Sequence, residues 1–184
     1  MVTEIRPQPG PQTQFLTTAS DIAIYGGSAG GGKTYGLLLK PLAHVHVPGY
    51  GAVIFRKTYA QVTDEGGLWD TATQLYHPLK PKQNISDMGF VFKSGASVSF
   101  SYLDSEQDLM NKQGSQICLL GFDELTHFSE RQFFFMMSRN RSTCGVPPCI
   151  RATVNPDADS WLVNGPGGWG TGFLSWWIGD DGLA

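Results

Sequence analysis

Residues 24–39, IYGGSAGGGKTYGLLL, contain the strongest structural signal of the sequence. An apolar run leads into a glycine-rich loop, and the loop ends in Lys-Thr at the start of a helical pattern. Gly27, Gly32, Lys33 and Thr34 match the phosphate-binding pattern G-x-x-x-x-G-K-[ST], the Walker A motif. Strand, glycine loop and helix follow in the order that this motif requires. The segment therefore predicts a P-loop nucleotide-binding fold.

The residue types of the loop suit phosphate binding. Glycines let successive backbone N–H groups point inward without Cβ clashes, and the following helix adds the positive end of its dipole. Lys33 would neutralise the β- and γ-phosphates, and the Thr34 hydroxyl could hold Mg²⁺. The predicted nucleotide ligands in the loop are Gly27, Ser28, Ala29, Gly30, Gly31, Gly32, Lys33 and Thr34.

The composition is that of a globular domain. Of the 184 residues 41% are hydrophobic and 12% aromatic, which is enough for one domain with its own core. A formal net charge of -3 excludes an overall basic field, so any contact with nucleic acid must be local. The three cysteines form no CxxC pair, which supports neither a zinc site nor a disulfide framework and favours a reducing, intracellular setting. Without a signal-like core or an apolar run of about 18 residues, we expect a soluble protein.

Strand and helix patterns alternate along the chain. Apolar runs predict strands at residues 21–25, 52–56, 117–124 and 149–156, and helical patterns follow the first three of them. Alternating apolar and polar residues on both sides of Ser94-Gly95 predict a β-hairpin. The pattern predicts an α/β fold of the P-loop NTPase type, with a mostly parallel central sheet flanked by helices and an inserted β-hairpin.

Three regions are distinguished along the chain. Residues 1–20 are an N-terminal lead-in, and the prolines in residues 1–13 predict an extended backbone there. Residues 21–162 are predicted to form the P-loop domain. Residues 163–184 are a tail rich in glycine and tryptophan.

An acidic pair supplies the second half of a hydrolytic site. Asp123 ends a predicted buried strand, where it would accept a hydrogen bond from Mg²⁺-bound water or from Thr34. Glu124 would orient and deprotonate the attacking water. Kinases of small molecules need no such glutamate, so the pair favours an ATPase. The alternative is an acidic pair that only supplies negative charge at a helix N-terminus.

The segment RATVNP, residues 151–156, contributes a third set of polar groups. Its strand would bring Thr153 and Asn155 to the same edge of the sheet, where the Asn155 amide could sense the γ-phosphate. An ordinary Asn-Pro turn is the alternative.

Taken in order, these motifs resemble the ATPase domain of the large terminase subunit of tailed bacteriophages. The resemblance covers residues 8–162. It rests on PGPQTQFL ahead of the glycine loop, IFRKTYAQV after it, KQGSQICLLGFDELTHFSERQFFFMMSRNRS around the acidic pair, and ATVNPDADSWL. The FDELTHF and ATVNP segments are more specific than the glycine loop alone.

The resemblance implies an ATP-driven, Mg²⁺-dependent motor that moves double-stranded viral DNA into a procapsid. The implied partners are that DNA, the portal protein of the procapsid, the small terminase subunit and further copies of the chain in a ring. A membrane is not among them. The implied location is the host-cell cytoplasm, with transient attachment to the procapsid.

The resemblance also assigns roles to residues. Gln12 looks like the glutamine that reads the adenine edge, and Phe15 could pack beside the base. Lys33 and Glu124 take catalytic roles, Thr34 and Asp123 hold Mg²⁺ directly or through water, and Thr153 with Asn155 resembles the motif that couples hydrolysis to movement.

Two departures from the family pattern stand out. Many members carry an arginine inside the Walker A loop, which here holds only small residues before Lys33, so the positive charge must come from elsewhere. Arg56, Arg139 and Arg141 are the candidate arginine fingers. The family continues into a nuclease domain with a cluster of metal-binding aspartates. We expect that domain to be absent, the ATPase domain to be incomplete at its C-terminus, and this chain to show no nuclease activity.

Two other functions fit the same motifs. One is a different nucleic-acid-dependent P-loop ATPase of the helicase-like kind. The other is a nucleotide-binding fragment with little turnover.

Overall fold

The computed structural model describes residues 5–27, 30–111, 114, 116–155, 157 and 159–164. Seven strands are present in this part of the chain: β1 (Ile22–Gly26), β2 (Gly51–Arg56), β3 (Lys82–Asn84), β4 (Gly89–Val91), β5 (Ser97–Tyr102), β6 (Leu119–Phe122) and β7 (Cys149–Val154). They form one sheet in the order β1-β7-β6-β2-β5-β4-β3. The first five in this order run parallel, whereas β4 and β3 are antiparallel to their neighbours. The predicted mostly parallel sheet with an inserted hairpin is confirmed, and β3 adds a third strand to the hairpin.

Helices cover both faces of the sheet. They are α1 (Pro11–Thr17), α2 (Lys33–Leu39), α3 (Tyr59–Thr63), α4 (Leu68–Tyr76), α5 (Glu106–Met110), α6 (Glu130–Met137) and α7 (Trp161–Asn164). One core contains Phe15 of α1, Leu37 of α2 and Tyr76 of α4, all fully buried. The second core contains Leu109 of α5 and Phe133 of α6. Alternate residues of the central strands face opposite cores because side chains alternate along a strand.

The predicted extended backbone of residues 1–13 is wrong from Pro11 onward. Helix α1 begins at Pro11, a position that suits proline because the first N–H groups of a helix have no partner within the helix. Phe15 is fully buried, and its ring lies 5.3 Å from that of Tyr25. Phe15 therefore belongs to the core, and its packing beside a base stays a prediction.

Proline, glycine and capping residues set the bounds of several helices. The α-helix after the glycine loop ends at Leu39, and Pro41 lies in the 3-10 helix Lys40–His44 that follows. Gly66 and Gly67 separate α3 from α4, and Ser129 with Gln132 forms a capping box at the start of α6. Most of the glycine- and tryptophan-rich tail, residues 165–184, lies outside the described residues. No helix among the described residues has the length and apolar character needed to cross a membrane.

The parallel register brings four chain segments to one edge of the sheet. Gly26 pairs with Val154 between β1 and β7, and Phe122 pairs with Phe55 of β2 and with Ala152 of β7. The residues at the carboxyl ends of these strands therefore meet, as expected for ligand sites of parallel sheets.

Candidate nucleotide-binding site

A cavity of about 420 Å³ lies at the carboxyl edge of the sheet. Its walls include the second half of the glycine loop, the end of β2, the start of α4 and the segments that follow β6 and β7. The predicted site residues that line it are Gly30, Gly31, Gly32, Lys33, Thr34, Arg56, Glu124, Thr153 and Asn155. Ser28 and Ala29 lie outside the described residues, so their predicted contacts stay predictions.

The glycine loop has the backbone conformation that its sequence requires. Gly30 and Gly32 have φ angles of 83° and 68°, in the left-handed region that side-chain-bearing residues rarely adopt. The Lys33 ammonium donates a hydrogen bond of 2.8 Å to the carbonyl of Gly27, across the mouth of the loop. Burial lowers the pKa of Lys33, and the nearby charges of Asp123 and Glu124 act against this shift.

Asp123 is the centre of the hydrogen-bond network below the cavity. Its carboxylate is fully buried and accepts hydrogen bonds from Thr34 Oγ1 at 3.0 Å and from Thr153 Oγ1 at 2.6 Å. The guanidinium of Arg56 contacts it through Nε at 2.7 Å and through Nη2 at 2.5 Å. The carboxylate thus connects the helix after the glycine loop, the β2 strand and the β7 strand at one point.

Glu124 lies at the wall of the cavity with its side chain 28% exposed. Its φ of 61° places a residue other than glycine in the left-handed region. The Glu124 N–H donates to Thr153 Oγ1 at 3.0 Å, so one hydroxyl bonds both members of the acidic pair. Glu124 Oε2 lies 3.3 Å from His127 Nδ1 and 3.6 Å from Arg56 Nη1.

Gln12 is buried beside the end of the glycine loop. Its Nε2 donates to the carbonyl of Gly32 at 2.8 Å, and its Oε1 accepts from the backbone N–H of Gln8 at 2.6 Å. The side chain therefore fastens α1 to the loop, and its role in reading adenine stays a prediction.

The three candidate arginines lie in different places. Arg56 is at the cavity, in contact with both acidic residues. Arg139 and Arg141 lie at the other end of β6, where the Arg139 carbonyl accepts from the Ile117 N–H and the Arg141 N–H donates to the Ile117 carbonyl. Ile117 precedes Asp123 by six residues, a distance of roughly 20 Å along an extended strand.

Two groups of residues at the site were not predicted from the sequence. The start of α4, including Leu68 and Thr71, forms the cavity wall opposite the loop. His127 contacts Glu124. The spacing of three residues could have predicted this contact, because residues i and i+3 eclipse in a 3-10 turn.

Solved structures of large terminases share this fold. The large terminase of a thermophilic bacteriophage matches with a TM-score of 0.64 and 18% identity over 85% of this chain and 41% of that chain. A structure of the same terminase in complex with ATP-gamma-S matches with a TM-score of 0.59 and 19% identity over 83% of this chain and 39% of that chain. The large terminase ATPase domain of Thermus phage P74-26 matches with a TM-score of 0.62 and 12% identity over 88% of this chain and 74% of that chain.

The chain thus spans less than half the length of the first of these terminases. No curated protein sequence matches it. The family model described as "Terminase large subunit, T4likevirus-type, N-terminal" matches residues 24–176, most of the chain. The chain belongs to this family of terminase large subunits.

Proposed function

We propose that this chain is the ATP-hydrolysing motor domain of a viral terminase large subunit and powers the translocation of double-stranded DNA into a procapsid. The observation that carries the proposal is the contact of Thr34 with Asp123, which joins the end of the glycine loop to the acidic pair at the carboxyl edge of the sheet. The family match gives no support to a helicase-like ATPase.

The loop and its helix would bind the triphosphate. The backbone N–H groups of Gly30, Gly31 and Gly32 and the positive end of the α2 dipole favour phosphate charge at this point. Lys33, which bonds the Gly27 carbonyl in this structure, would turn to the β- and γ-phosphates.

The residues below the cavity fit Mg²⁺. The Thr34 hydroxyl donates its hydrogen bond to Asp123, which leaves the lone pairs of its oxygen for a metal ion, and oxygen is the ligand type that Mg²⁺ prefers. Asp123 is buried and already accepts several hydrogen bonds, so it would hold the ion through water or through Thr34. The ion would neutralise charge on the β- and γ-phosphates.

Glu124 would act as the base. The oxygen of a water molecule attacks the γ-phosphorus in line, the bond from that phosphorus to the β,γ-bridging oxygen breaks, and Glu124 accepts the proton of the water. Arg56 lies at the same cavity and would supply the positive charge that the glycine loop lacks.

Thr153 and Asn155 would couple hydrolysis to movement. Asn155 lines the cavity at the end of β7, and Thr153 bonds both acidic residues. Loss of the γ-phosphate would change the contacts of Asn155 and shift the segment after β7. The portal protein, the small terminase subunit and a ring of identical chains are the proposed partners, and the host-cell cytoplasm is the proposed location.

ATP binding by the wild type and by Lys33→Ala tests the nucleotide site. We expect the wild type to bind ATP with Mg²⁺ and Lys33→Ala to lose this binding, with Lys93→Ala, an exposed lysine of the β4–β5 hairpin, as the matched control. Equal binding by wild type and Lys33→Ala would contradict the assignment. Duplex DNA should stimulate hydrolysis, whereas equal stimulation by RNA would favour a helicase-like enzyme.

A further inference from the structure

The turn that carries Glu124 is firmly held at both ends. Asp123 before it is bonded to side chains of β2 and β7, and the 3-10 helix Leu125–His127 follows it directly. Leu125 is fully buried and Phe128 is 2% exposed, so both anchor the turn in the second core. The Phe128 carbonyl also accepts a hydrogen bond of 2.7 Å from the Trp161 indole. These contacts therefore fix the backbone at Glu124.

The same turn places the His127 ring next to the Glu124 carboxylate. The His127 N–H donates to the Glu124 carbonyl at 3.0 Å, which closes the turn and brings the two side chains together. The ring Nδ1 lies 3.3 Å from Glu124 Oε2. Within the described part of the chain, the ring has no polar side-chain contact besides this one. The ring nitrogen therefore lies next to a single oxygen of the Glu124 carboxylate.

Arg56 approaches the same oxygen of Glu124 but is shared with Asp123. Its Nη1 lies 3.6 Å from Glu124 Oε2, while Nε and Nη2 contact Asp123. A γ-phosphate entering the cavity would compete for this guanidinium, because a phosphate carries more charge than a carboxylate. His127 does not line the cavity, so its contact with Glu124 would persist.

We infer that His127 is a positioning residue for Glu124. Its ring holds Oε2 and thereby keeps Oε1 directed to the water that attacks the γ-phosphorus. The inference rests on the proposed function, since it concerns the base of ATP hydrolysis. A base that is free to rotate spends less time in the productive geometry, and misplacement of a catalytic group is costly.

Steady-state hydrolysis of ATP by five variants tests this role. His127→Ala should lower kcat about tenfold and leave KM for ATP unchanged, because the ring acts on the base and not on nucleotide binding. His127→Asn should recover most of this loss, since the asparagine amide nitrogen occupies the position of Nδ1. His77→Ala, at an exposed histidine remote from Glu124, is the matched control. In a Glu124→Gln background, His127→Ala should have no further effect.

The outcomes separate the inference from the proposed function. Three results would overturn the role of His127 and leave the ATPase assignment intact. They are a wild-type kcat in His127→Ala, a loss of kcat in His127→Asn as large as that in His127→Ala, and an additive loss of kcat in the double variant. A rise in KM without a fall in kcat would do the same. A wild-type protein that neither binds nor hydrolyses ATP would overturn the proposed function and the inference together.

Discussion

Glu124 shows how a single residue combines strain with function. Its φ of 61° is a conformation that costs a residue with a Cβ atom about 1–2 kcal/mol. The conformation persists because the neighbouring buried residues and the Thr153 hydroxyl fix the backbone on both sides. Strain of this kind is found where function requires a particular side-chain direction. Here it directs the carboxylate to the cavity.

Replacement of Glu124 by glycine tests this strain. Glu124→Gly and Glu124→Ala both remove the carboxylate, but only glycine adopts positive φ without a Cβ clash. We therefore expect the glycine variant to have a free energy of unfolding about 1 kcal/mol higher than the alanine variant. Urea denaturation of the two proteins measures the difference. An alanine variant as stable as the glycine variant would show that the turn is not strained.

At this scale the sequence motifs predict which residues come together. Lys33, Thr34 and Glu124 line one cavity, and Thr34 donates the expected hydrogen bond to Asp123. The contact of Arg56 with Asp123 depends on the pairing of β2 with β6, which no local pattern reveals.

The strands β2 and β6 are packed closely where the acidic pair begins. Gly121 of β6 pairs with Ile54 of β2, and a Cβ added at Gly121 would lie 2.9 Å from Ile54 Cγ1. The glycine therefore allows the fully buried Ile54 side chain to lie against the strand that ends just before Asp123.

Gly121→Ala should destabilise the protein by about 1–3 kcal/mol, because the added methyl group overpacks the contact between the two strands. In an Ile54→Ala background, which removes Cγ1 at 2.9 Å and Cγ2 at 3.3 Å, the same change should cost much less. Thermal or chemical unfolding of the four proteins of this cycle measures the coupling. Equal costs in the two backgrounds would contradict the proposed clash.

Elements with a strong periodic pattern can be predicted from the sequence, whereas elements with a weak pattern cannot. The strands of the parallel sheet follow from their apolar runs, whereas Lys82–Asn84 is too short and polar to be recognised as β3. Helix α1 is missed because prolines normally oppose helices, although Pro11 stands at the one position that tolerates it.

For the whole molecule, the positions of the three candidate arginines decide which of them can act on a nucleotide bound to the same chain. Arg56 is at the chain's own cavity, while Arg139 and Arg141 lie at the opposite edge of the sheet. Arg139 and Arg141 could reach a nucleotide only in a neighbouring chain of the proposed ring.

Single substitutions distinguish an arginine that acts in its own chain from one that acts in a neighbouring chain. Arg56→Ala should lower ATP turnover at least about a hundredfold at any protein concentration, since it removes a charge of the same site. Arg56→Lys should restore little, because lysine cannot span both acidic residues as a guanidinium does. Arg139→Ala and Arg141→Ala should leave the turnover of the dilute, monomeric protein unchanged. Wild-type turnover by Arg56→Ala at all concentrations would contradict the role of Arg56.

In the proposed mechanism, one cavity binds ATP and Glu124 activates the water that hydrolyses it. ATP binding and steady-state hydrolysis by the wild type and by Glu124→Gln test both parts. The amide variant should bind ATP as tightly as the wild type and hydrolyse it about 10²–10⁴ times more slowly, since it cannot accept the proton. Hydrolysis by Glu124→Gln at the wild-type rate would contradict the role of Glu124 as the base.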